Sequence, residues 1–339
     1  MSHSTVSSLG EHALIARITA RLAMPPWVAV GPGDDAAVIQ PVRGALDVLT
    51  TDAQVDGIHF DLRFVPPDAV GHRALAVNLS DLAAMGAEPR AAVLSLALPE
   101  DTSVETVDRF LDGFLELAQQ HKTALIGGNI TRTGGPWVAD VTALGSVRPR
   151  RILLRSGARP GDAVYVTGSP GSAAIGLRLL RAVAEPDQLA GIRSTWPDSA
   201  ERYLQPEPRI RAGLLLGRNR AASSCMDLSD GLADGLRQVA AASGVGMSID
   251  ASALPVAEEV ARWHAQHGGD PLGTVLGGGD DYELLFTVRP SQRGRLRMVR
   301  QQLGNLPVTR IGVVTKGSDI VVATADGSRP LPQGFEHYR

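Results

Sequence analysis

The first half of the chain switches repeatedly between two kinds of apolar spacing. Apolar residues recur every three or four positions in residues 11–22, 70–85 and 107–117, and this spacing predicts three helices. Short runs of apolar and β-branched residues predict strands at residues 36–40, 46–50, 91–98, 124–126 and 138–147. The order of these elements predicts a mixed α/β domain.

The second half repeats this mixture after a sharp change of composition. Residues 148–162 hold five arginines, two prolines and two glycines, which is typical of a linker. We therefore predict an N-terminal domain over residues 1–147 and a C-terminal α/β domain over residues 148–339. Within the latter, the patterns predict strands at residues 163–167 and 247–249 and before Met226, and helices after Gly171, near residues 208–216 and after Asp230.

The composition of the whole chain argues against several classes of function. The 339 residues carry a net charge of −3, with a pI near 6.2, so no broad basic face for nucleic acid is expected. The one cysteine, Cys225, excludes an internal disulfide and a thiolate zinc cluster, which fits a reducing, cytoplasmic location. The apolar runs are too short to span a bilayer, so no membrane role is expected.

Lysine occurs only at Lys122 and Lys316, and no G-x-x-x-x-G-K-[ST] loop is present. A Walker-type nucleotide site is therefore excluded. If the protein handles a polyphosphate, metal ions, arginines and backbone amides must meet the charge instead.

Clusters of oxygen-bearing side chains in the first domain suit a hard cation. Asp34 lies in the glycine-rich turn GPGDD, and Thr50, Thr51 and Asp52 lie at the predicted carboxyl end of a strand, followed by His59. Alone these signals are weak. Acids in such turns usually stabilise the turn, and an isolated histidine is more often a packed or surface side chain than a ligand.

Two further motifs of the first domain have polar residues in apolar surroundings. Asp81 lies in a predicted helix beside core-facing leucines, where an unpaired carboxylate would be costly unless it met a metal or a strong donor. Gly127, Gly128 and Asn129 are predicted to end a strand, where glycines let the backbone approach a phosphate closely.

The second domain has two motifs of the same kind. In MDLSDGL, Ser229 or Asp230 could simply cap the following helix, but capping does not account for Asp227. Three oxygen-bearing side chains at a helix start also suit metal-bridged phosphates. The glycine-rich segment GGGDDYELLFT brings Asp280 to the start of a strand, and its alternative interpretation is a plain loop.

The number of these clusters matters more than any one of them. Six strand-end or helix-start groups of Asp, Gly, Ser and Thr in one chain are difficult to explain as turns alone. Such a set supplies about the number of oxygens that two or three Mg²⁺ ions require, and such ions could neutralise ATP and an anionic acceptor. The sequence therefore predicts a site that binds several magnesium ions.

Taken in order, these motifs resemble those of the thiamine-monophosphate kinase family. The matching segments are GDDAAVI, TTDAQVDGIHF, ALAVNLSDLAAMGAEP, GGNITR, MDLSDGL, GGGDDYELLFT and the terminal GFEHY, so the resemblance runs from about Gly10 to Tyr338. This family belongs to the ATP-binding superfamily of aminoimidazole ribonucleotide synthetase. The resemblance implies a mixed α/β, two-domain fold in which strands of the N-terminal domain form a homodimer interface and the C-terminal domain completes the active site.

The resemblance also implies an activity and a set of residues. The activity is direct in-line transfer of the γ-phosphoryl group of ATP to thiamine monophosphate, the last step of thiamine diphosphate biosynthesis. The implied magnesium ligands are Asp34, Thr50, Thr51, Asp52, Asp81, Asn129, Asp227 and Asp230. The implied ATP contacts are Gly128, Asn129, Arg151 and Ser229, and the implied thiamine monophosphate contacts are His59, Asp280 and Phe335.

Two positions depart from the common pattern of the family. Asn129 replaces the aspartate of GGD, which removes a negative charge but keeps an oxygen ligand. Asp280 replaces the glutamate of GGEDYEL, and its side chain is one methylene shorter. No side chain is assigned as a catalytic base, because the attacking phosphate oxygen is already anionic at neutral pH. Positioning and metal charge are expected to supply the catalysis.

Two alternatives stay open at this point. One is another ATP-dependent synthetase of the superfamily; a selenophosphate synthetase usually has a reactive cysteine or selenocysteine near its N-terminus, whereas Cys225 lies far along this chain. The other is a catalytically silent nucleotide-binding relative, in which Asn129 and Asp280 mark lost chemistry. Arg148, Arg150 and Arg155 could bind phosphate or solvate the linker, and His121 has no assigned role.

Overall fold

A computed structural model describes residues 4–183 and 186–332, and the chain divides into two compact units. The first unit combines Met1–Leu82 with Glu88–Arg148, and the second combines Ala83–Ala87 with Pro149–Arg339. Within the described residues, no helix is long and apolar enough to cross a membrane.

The first unit is built on a four-stranded mixed sheet. Its elements in chain order are α1 (Val6–Leu9), α2 (Glu11–Thr19), β1 (Val28–Val30), β2 (Val38–Ile39), β3 (Leu46–Val55), α3 (Pro67–Ala84), β4 (Glu88–Leu98), α4 (Val104–Gln120), β5 (Ala124–Arg132) and β6 (Val138–Val147). The strand order is β3-β6-β4-β5, with β4 and β5 parallel and the other neighbours antiparallel. β1 and β2 form a separate antiparallel pair.

The two faces of this sheet differ in how they are covered. Alternate residues of β4 and β6, such as Leu94 and Val141, are buried, as are the apolar faces of α3 and α4. On the opposite face, Trp27 and other residues at and around β1 and β2 pack against Ala91, Ala124 and Ile126. The rest of that face is open, and we call it the open face.

Two sequence predictions about strand ends were wrong. Thr50, Thr51 and Asp52 lie in the middle of β3, which continues to Val55, because the alternation of side chains persists through the polar residues. Asn129 likewise lies inside β5, which continues to Arg132 despite its two glycines. The predicted helix over residues 70–85 and the strand over residues 138–147 are confirmed as α3 and β6.

The second unit is built on a seven-stranded sheet. Its strands are β7 (Ala163–Thr167), β8 (Ser224–Asp227), β9 (Gly246–Asp250), β10 (Leu284–Val288), β11 (Val308–Thr315), β12 (Ile320–Thr324) and β13 (Gly327–Pro330). Its helices are α5 (Ser172–Leu180), α6 (Pro186–Thr195), α7 (Pro197–Leu204), α8 (Ile210–Asn219), α9 (Leu232–Ser243), α10 (Glu258–His267), α11 (Pro271–Gly277) and α12 (Arg293–Leu303), with 3-10 turns at Pro149–Arg151, Ala251–Ala253 and Pro290–Gln292. The strand order is β13-β12-β9-β11-β7-β10-β8, and only β9 and β12 pair in parallel.

The register of this sheet brings three loops to one edge. β10 is antiparallel to both β7 and β8, with Leu285 opposite Val166 and Leu284 opposite Asp227. The loops that follow β7 and β8 therefore lie at the same edge as the loop that precedes β10. Beneath them, apolar side chains of β7, β8, β10 and α9 form a continuous buried cluster, which gives these loops a rigid base.

Candidate active site

Strand alternation separates the three adjacent polar residues of β3. Thr50 and Asp52 share the half-buried face, and the Thr50 hydroxyl donates a short hydrogen bond to Asp81 on α3. A hydroxyl and a carboxylate from two different elements therefore meet at one point. This pair has the hard oxygen donors that Mg²⁺ prefers.

Thr51 lies on the open face, where its hydroxyl meets a second group of oxygens. It is 3.1 Å from the Asp140 carboxylate and 3.1 Å from the Thr142 hydroxyl, both on the neighbouring strand β6. The Thr51 side chain and the side chains of Thr50 and Asp52 lie on opposite faces of the sheet. They therefore cannot bind the same ion. The sequence analysis missed Asp140, and the signal that could have found it is its place in an otherwise alternating apolar strand.

Asn129 lies on the edge strand β5, opposite Ser95 of β4, which in turn pairs with Asp140 of β6. The pairing puts Asn129 and Asp140 on the same side of the sheet, two strands apart. Before it, a Cβ on Gly128 would lie 2.0 Å from the Leu94 carbonyl oxygen. Gly128 therefore has a structural reason to be glycine, apart from any contact with a phosphate.

Asp34 and His59 each lie in a turn rather than on a regular element. Asp34 is exposed, and its carboxylate accepts the N–H of Asp35 at 2.9 Å. The Nδ1 atom of His59 accepts the N–H of Val55 at 3.1 Å, which orients the imidazole and leaves its proton on Nε2 in the neutral form. The ring can therefore donate a hydrogen bond through Nε2.

In the second unit, Ser229 and Asp230 lie in the loop between β8 and α9, which directly follows Asp227. Asp227 is buried at the last position of β8, whereas Ser229 and Asp230 are partly exposed. The N-cap residue of α9 is Gly231, so a glycine and neither Ser229 nor Asp230 occupies the capping position itself. Ser229 and Asp230 therefore lie two residues and one residue before the N-cap of this helix.

The loop before β10 lies against the same segment. The N–H of Asp280 donates to the carbonyl oxygen of Ser229 at 2.7 Å, and the N–H of Tyr282 donates to that of Leu228 at 2.9 Å. In return, the N–H of Leu228 donates to the carbonyl oxygen of Glu283 at 2.9 Å. Backbone hydrogen bonds therefore fix Asp280 beside the loop that carries Asp227 and Asp230.

Two buried acids of this loop meet positively polarised or charged groups. The Asp281 carboxylate accepts the N–H groups of Gly171, at 2.5 Å, and Ala173, at 3.0 Å, at the start of α5. Burial raises the pKa of Asp281 to about 7, although both N–H donors act to lower it. Glu283 is 0% exposed and forms two hydrogen bonds with the Arg209 guanidinium, at 2.7 and 2.5 Å.

The ion pair of Glu283 and Arg209 determines the charge of both groups. Burial opposes ionisation of Glu283, but Arg209, Arg202 and the Thr167 hydroxyl together hold the pKa of its carboxyl below the ordinary value. Burial likewise acts to lower the pKa of Arg209, but the carboxylates of Glu283 and Glu207 raise it above its ordinary value. Both members of the pair are therefore charged at neutral pH.

The other predicted residues are placed as follows. Arg151 is exposed on the 3-10 turn Pro149–Arg151, beside α8. Arg155 donates to the side chain of Gln238 at 2.6 Å, and His121 occupies the C-cap of α4. Phe335 lies outside the described residues.

In the parts of the chain that the structure describes, no three Asp, Glu, His or Cys side chains already form a metal-binding group. The donor types nevertheless fit magnesium at two places. Thr50 and Asp81 meet directly in the first unit, and in the second Asp227 and Asp230 lie three residues apart between the end of β8 and the start of α9. Such sites would complete their coordination with water and substrate phosphates, as magnesium commonly does.

Comparison with known proteins begins with two family models. The description "AIR synthase related protein, N-terminal domain" matches residues 33–147, and "AIR synthase related protein, C-terminal domain" matches residues 159–324. Together they cover most of the chain and most of both units.

Individual relatives give a finer assignment. Thiamine-monophosphate kinase of Escherichia coli (strain K12) is 38% identical over 97% of this chain and 98% of its own length. The chain belongs to the thiamine-monophosphate kinase family. The crystal structure of thiamine-monophosphate kinase from Stenotrophomonas maltophilia K279a matches with 39% identity and a TM-score of 0.80, over 91% of this chain and 95% of that one. AaThiL complexed with AMPPCP and TMP matches with 33% identity and a TM-score of 0.75, over 97% of each chain.

Membership of the thiamine-monophosphate kinase family confirms the resemblance found in the motifs. It also confirms the expected fold, a mixed α/β architecture with two domains like those of AIR synthase. The individual site residues are a separate matter, because a family assignment does not say which side chain binds which group.

Proposed function

We propose that this protein transfers the γ-phosphoryl group of ATP to thiamine monophosphate and releases thiamine diphosphate and ADP. The observation that carries the proposal is the match over 97% of each chain to a relative complexed with AMPPCP and TMP. The near-complete match to the kinase of Escherichia coli supports the same activity. In the organism, this reaction is the last step of thiamine diphosphate biosynthesis.

The first unit is proposed to hold magnesium and part of the ATP. Thr50 and Asp81 meet at one point, and Asp52 shares their face. Thr51 and Asn129, which lie on the open face, would bind magnesium apart from these three, as would Asp34. Gly128 and Asn129 would also contact the nucleotide. Bound Mg²⁺ would supply positive charge that neutralises the phosphates and favours attack on the γ-phosphorus.

The second unit is proposed to hold the remaining ligands of both substrates. Asp227, at the end of β8, and Asp230, just before α9, would bind magnesium, and Ser229 and Arg151 would contact ATP. Asp280, fixed beside Ser229 by a backbone hydrogen bond of 2.7 Å, would face thiamine monophosphate. His59 and Phe335 would face the same substrate, and His59 would donate through Nε2.

The chemistry needs no side-chain base. A phosphate oxygen of thiamine monophosphate is already anionic near neutral pH, because the second pKa of a phosphate monoester is about 6. This oxygen would form a new bond to the γ-phosphorus while the bond from that phosphorus to the β–γ bridging oxygen breaks, and ADP leaves with the electron pair. The residues act by holding the two phosphates in line.

The assembly is proposed to be a homodimer joined through the open face of the first unit. Leu49, 69% exposed, and Val93, 37% exposed, lie on that face of the sheet. Replacing Leu49 by Asp should shift the protein towards monomer in analytical ultracentrifugation, and an unchanged mass would contradict this interface. The cytoplasmic location and the lack of a nucleic-acid or membrane partner stay predictions.

The test of the activity is incubation with ATP, Mg²⁺ and thiamine monophosphate, followed by chromatography of the thiamine compounds. We expect thiamine diphosphate to form in step with ADP. ADP release without thiamine diphosphate would favour another synthetase of the superfamily. Nucleotide binding without turnover of any acceptor would favour a silent relative.

A further inference from the structure

The loop that precedes β10 has an unusual backbone. Asp280 has a φ of +66° and Tyr282 a φ of +51°, and the described residues include only two other non-glycine residues with positive φ. Such a conformation is unfavourable for an L-amino acid, because Cβ comes too close to the following carbonyl oxygen. Two strained residues separated by a single residue require strong anchors to either side.

Asp281 provides the central anchor. It lies between the two strained residues, is 1% exposed, and accepts two backbone N–H groups at the start of α5, from Gly171 and Ala173. A carboxylate that accepts these N–H groups is bound by hydrogen bonding and by the helix dipole together. The peptide groups on both sides of Asp281 are thereby fixed.

Tyr282 connects this anchor to Asp280. Its hydroxyl donates to the Asp280 carboxylate at 3.1 Å, and its ring is buried at 6% exposure. The strained φ of Tyr282 turns the phenol back towards Asp280, two residues earlier. The Asp280 carboxylate is therefore oriented by a buried side chain as well as by its own backbone.

We propose that Asp281 and Tyr282 are positioning residues that hold the Asp280 carboxylate in the orientation in which it binds the positively charged part of the acceptor substrate. This inference rests on the proposed function, because it takes Asp280 to face thiamine monophosphate. Asp281 acts through the backbone of the loop, and Tyr282 acts through its hydroxyl. Neither residue needs to touch the substrate.

The first test compares Asp281→Asn with the wild-type protein in two measurements. The amide side chain can accept only through its single oxygen and brings an N–H₂ group against a backbone N–H. We expect faster hydrogen–deuterium exchange at the amides of Asp280 and Tyr282, and a KM for thiamine monophosphate raised about tenfold, while the KM for ATP changes less than twofold. A purely structural role would lower the amount of active enzyme and leave both KM values unchanged.

The second test is a double-mutant cycle between Tyr282→Phe and Asp280→Asn. If Tyr282 acts only through the Asp280 carboxylate, its loss should raise the KM for thiamine monophosphate severalfold in the wild-type background and leave it unchanged in Asp280→Asn. Equal effects in both backgrounds would overturn the role given to Tyr282. This variant keeps the buried ring, so the fold is retained.

A matched control is available in the same unit. Glu259 is also a buried acid, 7% exposed, that accepts a backbone N–H near a helix start, from Ser199 at 2.7 Å. Glu259→Gln should lower stability as Asp281→Asn does but leave the KM for thiamine monophosphate unchanged. An equal KM effect in both variants would overturn the inference.

The outcomes separate this inference from the proposed function. Wild-type protein that makes no thiamine diphosphate would overturn both. Wild-type protein that makes it, together with an Asp281→Asn variant of unchanged loop exchange or unchanged KM, would overturn the inference alone. Faster exchange joined to a rise in the KM for thiamine monophosphate only would support it.

Discussion

The candidate residues of the first unit and those of the second are held in place by different means. Thr50, Asp52 and Asn129 lie on regular strands, and their directions follow from strand alternation and register. Asp280 lies in a strained loop whose conformation depends on Asp281 and Glu283, and both of these acids are almost fully buried. Apart from Asp34 and His59, which lie in turns, the first unit carries its candidate residues on secondary structure, whereas Asp280 of the second unit depends on buried acids and their partners.

This difference teaches how each unit should respond to substitution. A side chain carried by a strand or a helix can lose its function while the element stays intact. A side chain in a buried network cannot change without a cost to the fold, because unpaired buried charges are strongly unfavourable. Activity and stability should therefore separate in the first unit and fall together in the second.

The largest expected effect is on turnover, from Asp81→Asn. Loss of its negative charge should weaken magnesium binding and lower kcat by about 10³-fold, while the free energy of unfolding changes by less than about 1 kcal/mol. Asp230→Asn should lower turnover in the same way. Rates of thiamine diphosphate formation and urea unfolding give the two quantities.

Asp47→Asn is the matched control, because Asp47 is an exposed acid on the same strand as Thr50 and has no proposed role. It should leave turnover unchanged. Full activity of Asp81→Asn at ordinary magnesium would remove it from the ligand set, and a large loss of its stability would break the contrast between the units.

The next effect is on stability, from Arg209→Met. It leaves the buried carboxylate of Glu283 without its main partner and should lower the free energy of unfolding by roughly 3–5 kcal/mol. Arg193→Met is the control, because Arg193 and Glu201 form an exposed pair, with side chains 42% and 39% exposed. Its cost should stay below about 1 kcal/mol. Similar costs for the two variants would contradict the buried network.

Gly168→Ala should cause a smaller loss of stability, and this loss tests whether the Glu283 side chain is fixed in place. The φ of Gly168 is +56°, and an added Cβ would lie 2.0 Å from Oε1 of Glu283. Gly161 also has a positive φ, of +91°, but nothing lies within 4 Å of its added Cβ. We expect Gly161→Ala to cost about 1 kcal/mol for the backbone alone, and Gly168→Ala to cost about 1–3 kcal/mol more because Glu283 must move. Thermal unfolding measures the difference. Equal losses of stability in the two variants would show that the Glu283 side chain can move away without cost.

A further effect is a dependence of stability on pH that comes from Asp281. Its pKa is raised in the folded state to about 7, mainly by burial, against an ordinary value of 3.8, so the folded protein binds a proton that the unfolded chain releases. The contribution to stability is fully present below about pH 4 and is lost as the pH rises towards 7. Asp281→Asn should remove this part of the slope. Urea unfolding at pH 5 and pH 7 measures it, and an identical slope in both proteins would contradict the raised pKa.

Much of the fold could be predicted from the sequence where one period dominates. The residues predicted for α3, β6 and β7 agree closely with the structure because their apolar spacing is regular over the whole element. β3 and β5 were predicted too short, since threonine, aspartate and glycine weaken the apolar signal while the backbone continues extended. The clusters of polar residues were visible, but not which face of the sheet each residue occupies.

The supporting residues could not be predicted because their partners are far away along the chain. Glu283 meets Arg209, and Asp281 meets the start of α5 more than a hundred residues earlier. Nothing local distinguishes these acids from Asp280 in the run DDYE. Likewise, Asp140 becomes a neighbour of Thr51 only through the pairing of β3 with β6.

The central claim is that the γ-phosphoryl group of ATP passes to thiamine monophosphate. The most direct measurement uses ATP labelled with ³²P at the γ-position, with Mg²⁺ and unlabelled thiamine monophosphate, and separates the products by chromatography. The label should appear in thiamine diphosphate, one equivalent for each ADP released. Label recovered only as inorganic phosphate, or retained in ATP, would contradict the claim.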